Sequence, residues 1–381
     1  MIAELISISI VLAVVIFYIN EQKEIVTARD SIPIRIHVNG IRGKTSVTRM
    51  IGSLMRPYYK TVSKTTGSEP KIIYPDATER LIIRQNAVNI KEQMDIIKEA
   101  HTLKAECIVI ECMAIEPILQ KTLEDKIMKS SIGIITNIRY DHEEVMGESI
   151  EEIAKSLSNT IPNNSHLIIP KDIQCIDILE SIAKQRNTKV HYAEINEVPS
   201  GYASRFEFMN YNENIAIVIK LAEIMHIDKE TALKNILDTK HDIGKGALFT
   251  RIIDNKKIHF LNSFANNDVQ SLIKMLSIIN FSPKSKKIAL LSHRDDRMRR
   301  TVSMINFIVE YGFDTVVISI DNDIIEKELR FSGYKGKIIN ITTGFIEELE
   351  KESDKYETYW IGLANIKTTF AESVMSYFGV T

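Results

Sequence analysis

The 381 residues carry 48 Lys and Arg against 50 Asp and Glu, a formal net charge of −2, with 44% hydrophobic and 26% charged residues. This balance is that of a globular chain, and with no long basic run it gives no electrostatic reason to expect nucleic acid as a partner. The length predicts two soluble domains. Three cysteines, Cys107, Cys112 and Cys175, two of them in or beside an apolar run, exclude a disulfide framework and suit a reducing cytosol.

The chain opens on MIAELISISIVLAVVIFYIN, apolar apart from small hydroxyls and Glu4 and close to the roughly 20 residues that cross a bilayer. It lacks the basic start and small-residue cleavage site of a secretory signal. No Lys or Arg precedes the run, whereas Lys23, Arg29 and Arg35 follow it, which places the body of the protein in the cytoplasm beneath a cell membrane. Residues 1–21 are therefore expected to be a membrane anchor. An apolar helix packed on the protein or on a partner is the alternative.

From Ile32 the text alternates between short β-rich runs and helical stretches. IPIRIHV reads as a strand, TSVTRMIGSLM as a helix, and AECIVIECM and SSIGIITNI as central strands covered on both faces. SIEEIAKSL opens like a capped helix, with Ser149 at the N-cap and Glu152 three residues on. ENIAIVIKLAEIMHI is a further helix. DTKHDIGKGALFT interrupts the periodicity, and KIHFLNSF, KKIALLSH, DTVVISI, KGKIINI and TYWIGLA then form a second series of strands. The expected fold class is α/β: a P-loop domain with a doubly wound, mostly parallel sheet (32–243), then a smaller Rossmann-like α/β domain (247–381), behind an N-terminal transmembrane helix.

The chemistry is concentrated after the first strand, in HVNGIRGKTSVTRM. Gly40, Gly43, Lys44, Thr45 and Ser46 fit G-x-x-G-K-T-S, a shortened phosphate loop in which His37 or Val38, depending on the count, stands where the longer pattern has its first glycine. Glycines let backbone N–H groups close around phosphate oxygens, the helix start adds partial positive charge and the lysine a full one. Residues 40–46, Ile41 and Arg42 included, are the candidate nucleotide cradle, and Thr45 would offer its hydroxyl to Mg²⁺. Glu111 ends the next central strand, where open α/β sheets place their ligands, so its carboxylate can reach the same metal. A capping or ion-paired glutamate is the alternative there. Asp141 and His142 follow the strand after that, a carboxylate beside an imidazole that could serve a second divalent ion.

Together these residues resemble the Mur-type ATP-dependent amide ligases, which include the peptidoglycan-precursor ligases and folylpolyglutamate synthase. The resemblance rests on G-I-R-G-K-T-S, Glu111 and T-N-I-x-x-D-H, continues through MGESIEEIA and NENIAIVIKLA, and reaches the second domain in NSFANNDVQSL, SHRDDRMRRT and WIGLAN. The anchor placed directly before the ligase core, with SKTTG, ECMA and FANND, makes the chain similar to the ligase subunits of bacterial poly-γ-glutamate (capsule) synthases. One departure stands out: the position of the family's metal-bridging carbamylated lysine falls near Leu157, and Lys155 lies two residues away, so no carbamate bridge is expected.

The resemblance implies that ATP, with Mg²⁺, phosphorylates a glutamate γ-carboxylate and that the amine of another glutamate attacks the acyl phosphate. It implies Lys44 and His142 as catalytic groups, Asn214 near the adenine, and Thr45, Glu111 and His142 around metal. Arg294 and Arg297 are implied as oxyanion clamps, with a solvated charged loop as the alternative, and Lys64, Thr65, Thr66 and Asn266 as substrate contacts. Glutamate and the growing polymer, small membrane subunits of a capsule synthase complex, the membrane itself and a second copy of the chain are the implied partners. A folylpolyglutamate-type ligase and a nucleotide-gated membrane adaptor without ligase activity are the rival readings.

Overall fold

The computed structural model describes residues 2–66, 69–84, 89–206, 211–240, 248–265, 269–279, 281–318, 323–341, 345–353 and 357–380. They fall into two compact units, the first within residues 2–240 and the second within 248–380. Residues 241–247, where the periodicity breaks, lie outside the described set.

The first unit begins with helix α1 (Ile2–Asp30), then β1 (Ile34–Asn39), α2 (Lys44–Met55), β2 (Thr61–Lys64), β3 (Lys71–Ile73), β4 (Glu79–Leu81), α3 (Lys91–Thr102) and β5 (Cys107–Glu111). Helix α4 (Pro117–Thr122) runs into a π-helical turn, Leu123–Met128, ahead of β6 (Ile132–Ile135). After it come α5 (Glu143–Met146), α6 (Ile150–Leu157), β7 (His166–Pro170), α7 (Ile176–Gln185), β8 (Lys189–Ala193), α8 (Asn212–Ile224) and α9 (Lys229–Leu237).

The eight strands make one sheet in the order β4-β3-β2-β5-β1-β6-β7-β8. All neighbours are parallel except β3, which runs antiparallel to β2 and to β4. The antiparallel extension departs from the uniformly parallel pattern of the other strands, and antiparallel neighbours need no crossover helix between them. Every residue of β5 and β6 is buried, as required of strands covered on both faces. Connections leave β1 toward the β2 edge and β5 toward the β6 edge, so the strand order reverses at the middle of the sheet, where a crevice opens at the strands' C-terminal ends.

The C-terminal part of α1 is built into this unit. Ile25 and Ala28 are buried with Met94, Ile97 and Ala100 of α3, Arg29 donates to the Lys126 carbonyl at 3.1 Å, and Glu24 pairs with Lys98 at 3.0 Å. Leu12, Val15, Ile16 and Ile19 are exposed. Among the described residues no helix is long and apolar enough to cross a membrane. The expected transmembrane helix is thus not shown, and most side chains of the expected anchor, 1–11, 13, 14, 17 and 18, lie outside the described set.

The second unit contains β9 (Leu248–Ile253), β10 (Lys256–Leu261), α10 (Val269–Ile278), β11 (Lys286–Ser292), α11 (Met298–Tyr311), β12 (Thr315–Ile318), α12 (Asp323–Phe331), β13 (Lys337–Asn340), α13 (Phe345–Glu352), β14 (Thr358–Ala364) and α14 (Thr369–Tyr377). Its sheet has the order β13-β12-β11-β14-β10-β9, parallel apart from the β9–β10 hairpin. Successive residues of one strand serve opposite faces. Ala289, Leu291, Ile361 and Leu363 pack with α10, α11 and α12, whereas Ile288, Leu290 and Trp360 pack with α13 and α14.

Candidate active site

Strand β1 lies between β5 and β6, with Val38 opposite Glu111 and Asn39 opposite Ile135. The ends of three strands, and the loops that leave them, therefore meet at one place. Between β1 and α2 the chain makes its tight turn on glycine. Gly40 has φ +127°, and a Cβ there would stand 2.1 Å from the Thr136 Oγ1. Gly43 has φ +81°, and a Cβ there would stand 2.5 Å from the Asn214 Oδ1. Neither position has room for a side chain, and the left-handed backbone is open to glycine at little cost.

Lys44, the first residue of α2, folds its ammonium back onto the carbonyls of Gly40 at 2.6 Å and Ile41 at 3.4 Å. Burial lowers its pKa, against the opposing charge of Glu111. An incoming phosphate oxygen would satisfy that cation better than two neutral carbonyls do. Thr45 donates its hydroxyl to Glu111 Oε1 at 3.1 Å, and the backbone N–H of Thr66 donates to Glu111 Oε2 at 2.8 Å. One carboxylate thus joins the phosphate loop to the loop after β2. Ser46 is half-buried on the first turn of α2, and Ile41 is buried in the core.

Lys44, Thr66, Glu111 and His142 line a cleft of about 220 Å³ with Asn39, Gly40, Ile41, Cys112, Met113, Ala114, Ile115 and Met146. Among the described residues no group of three or more His, Cys, Asp or Glu could hold a metal by itself. The donors at hand, the Thr45 hydroxyl and the Glu111 carboxylate, are a hard oxygen pair that suits Mg²⁺, an ion that completes its shell with phosphate oxygens and water. The residues fit that ion, with His142 half-buried in the same cleft.

Two loop supports were not singled out by sequence reasoning. Asn39 accepts the Gly40 N–H on its side-chain oxygen at 2.8 Å. Asn137 accepts the Arg42 N–H at 3.0 Å and donates to the Arg42 carbonyl at 2.8 Å, where Thr136 also donates at 2.6 Å. Their signal was available: short polar residues directly after central strands. Arg42 itself pairs with Asp141 at 2.8 Å. Burial raises the Asp141 pKa, but the Arg42 guanidinium, the His142 side chain and the His142 N–H together outweigh it and hold the carboxyl below the usual range.

The expected substrate contacts divide. Thr66 lines the cleft. Thr65 is buried and accepts the Lys71 N–H at 3.3 Å. Lys64 is fully buried, 2.8 Å from Glu92, which also takes Arg84 at 2.7 and 2.9 Å. Its ammonium is thus committed to an ion pair rather than brought to the cleft, and burial lowers its pKa against the pull of Glu92. Asn214 is buried in the first turn of α8, against Gly43. Lys155 is exposed on α6 and Leu157 belongs to the core. In the second unit Arg294 binds Asp296 at 3.0 and 2.8 Å and Arg297 lies 3.7 Å from the same carboxylate, in an exposed turn. Asn266 lies outside the described residues.

The chain is similar to known proteins. The family profile of the Mur ligase middle domain matches residues 38–221, and that of the poly-gamma-glutamate synthase CapB C-terminal domain matches 249–380. PGA synthase CapB of Bacillus subtilis (strain 168) is 36% identical over 288 residues, which cover 74% of this chain and 73% of that protein. The capsule biosynthesis protein CapB of Bacillus anthracis is 34% identical over 316 residues, covering 80% and 67%. The chain belongs to the CapB family of poly-gamma-glutamate synthases. A crystal structure of MurF from Acinetobacter baumannii superposes with a TM-score of 0.68 at 12% identity, over 94% of this chain and 78% of that one, so the fold is that of a Mur ligase.

Proposed function

We propose that this chain is the ATP-dependent ligase of a poly-γ-glutamate synthase and joins glutamate units through γ-amide bonds. Family membership supports the polymer, and the Lys44, Thr45 and Glu111 constellation supports the use of ATP. Carboxylate and ammonium do not condense at neutral pH, so the γ-carboxylate must first be activated. Transfer of the ATP γ-phosphoryl group to the carboxylate gives a γ-glutamyl phosphate and releases ADP; the neutral amine of a second glutamate attacks its carbonyl carbon, the C–O bond to phosphate breaks, and the amide, phosphate and a proton result.

Little covalent work falls to the protein in such a transfer, and positioning and charge dominate. The backbone N–H groups of residues 43–45 cradle phosphate oxygens, those of residues 40–42 being held by Asn39 and Asn137, and Lys44 leaves its carbonyl partners to neutralise them. Thr45 and Glu111 are the residues that would hold Mg²⁺, which would supply positive charge to neutralise phosphate. His142 faces the transferring group or a second ion from across the cleft. Asn214 borders the nucleotide through its place against Gly43. Thr66 contacts substrate from the loop after β2, and Arg294 and Arg297 exchange Asp296 for a substrate or phosphate oxyanion, since guanidinium binds either bidentately.

The N-terminal half of α1 is proposed to attach this body to the cytoplasmic face of a membrane, on the evidence of its apolar sequence and the exposed Leu12, Val15, Ile16 and Ile19. Deletion of residues 2–20 should then move the protein into the soluble fraction, and retention on membranes would assign attachment to partners.

Membranes carrying the chain and its neighbours, given ATP, Mg²⁺ and labelled glutamate, should make labelled polymer. With hydroxylamine present they should yield a γ-hydroxamate. Polymer formation that survives Lys44→Ala would overturn this reading, and absence of hydroxamate would return the adaptor alternative.

A further inference from the structure

Arg42 is a long cation placed between the two glycines of the phosphate loop, at the point where a small residue would leave a phosphate the most room. The structure ties it down on several sides. Its N–H and carbonyl are held by Asn137 and Thr136, and its guanidinium by Asp141 at 2.8 Å. The second oxygen of the same carboxylate accepts the N–H of His142 at 3.0 Å. His142 has φ +54°, a left-handed backbone uncommon in a residue with a side chain. Both oxygens of Asp141 are therefore engaged, one on the loop and one on the residue that faces the loop across the cleft. The Arg42 and Asp141 side chains are each about four-fifths buried, at 21% and 20% exposure, where water screens a charge pair weakly.

We propose that Asp141 is a positioning residue that sets the phosphate loop, through Arg42, and the His142 imidazole, through its backbone, as one piece. The Arg42 charge is already answered, so Lys44 is the loop cation left for phosphate. The Asp141 carboxylate is a clasp and not a ligand for a second metal ion. This inference rests on the reading of residues 40–46 as the nucleotide site.

The test uses the full-length chain in its membrane complex, with the affinity for a non-hydrolysable ATP analogue and Mg²⁺ measured by calorimetry and with KM and kcat from hydroxamate formation. Arg42→Ala should raise KM for ATP with little change in kcat, and Arg42→Lys, which can still reach the carboxylate, should restore most of the loss. Asp141→Asn keeps an acceptor for the His142 N–H and should behave like Arg42→Ala, whereas Asp141→Ala should also lower kcat. The double variant Arg42→Ala/Asp141→Ala should be no worse than Asp141→Ala, and contacting residues of this kind couple by about 2- to 160-fold. Losses that multiply in the double variant would overturn the clasp, as would an Asp141→Ala protein with unchanged KM and kcat. Loss of affinity on Arg42→Ala but not on Asp141→Asn would overturn it too and assign Arg42 to the phosphate itself. Unchanged affinity in Lys44→Ala would overturn the nucleotide site instead, a result separable from the others.

Discussion

The polar residues at the strand ends of the first unit and those of the Arg294 turn in the second are arranged in opposite ways. In the first, Thr45, Glu111 and Thr66 form one bonded set and Arg42, Asp141 and His142 another, each joining segments far apart in sequence and largely sheltered from water. In the second, among the described residues, Arg294 and Arg297 are paired with a carboxylate one or two residues away, in an exposed turn. A sheltered, cross-linked set holds its geometry before ligand arrives and so loses little on binding; an exposed local pair is weak and exchanges partners readily. The first arrangement suits a preorganised site, and the second suits a turn whose charged pairs exchange.

The most damaging way to break this contrast lies beneath the nucleotide site. Glu124, 1% exposed, accepts hydrogen bonds from His37 at 2.8 Å and from the Ser130 N–H and hydroxyl at 2.8 and 2.9 Å. Glu124→Ala leaves a buried imidazolium alone and should cost about 3–5 kcal/mol in denaturant unfolding. Burial by itself lowers the His37 pKa, but Cys112 and Glu124 outweigh it and push the value to about 10. A pKa raised from 6.5 in this way stabilises the fold fully below pH 6.5, and the stabilisation is lost as pH rises through about 10. Unfolding free energy should therefore fall between pH 7 and pH 10, and should fall less in His37→Asn.

Lys44→Ala should lower kcat by about 10²- to 10³-fold, the usual loss for one preorganised charge or donor at a transition state, with the unfolding midpoint unchanged. Ser149→Ala tests a purely structural polar group of the same unit. It removes a capping box in which Ser149 and Glu152 satisfy each other's backbone N–H groups, and should cost about 1 kcal/mol of stability with kcat retained. The smallest effect on folding should come from Arg294→Ala, whose midpoint should match wild type while ligase rate falls. A clear drop in its midpoint would erase the distinction between the two regions.

Much of this was legible in the residues. The β1, loop and α2 sequence is a local pattern, because glycine spacing, a lysine and a helix start specify a phosphate cradle within a dozen residues. Strands such as TYWIGLA are continuous apolar runs and coincide with β14. Glu111 could be placed near Thr45 because one ends a central strand and the other opens the helix after its neighbour, although only the β1–β5 register puts Val38 opposite Glu111. The β3–β4 hairpin was not legible, since three-residue strands rich in charge carry little hydrophobic period. Nor was the fate of Lys64, because whether a lysine in a strand faces ligand or an ion pair depends on Glu92, which is distant in the chain.

By itself the sequence determined the central strands, the glycine turn into α2 and the family, since each rests on residue types at short fixed spacings. Only the tertiary structure decided which polar groups meet. The pairing of Arg42 with Asp141 and the sharing of Glu111 between Thr45 and Thr66 join residues up to 99 positions apart. Such contacts depend on the sheet register that brings β5, β1 and β6 side by side, and register is a property of the packed core that no local spacing records.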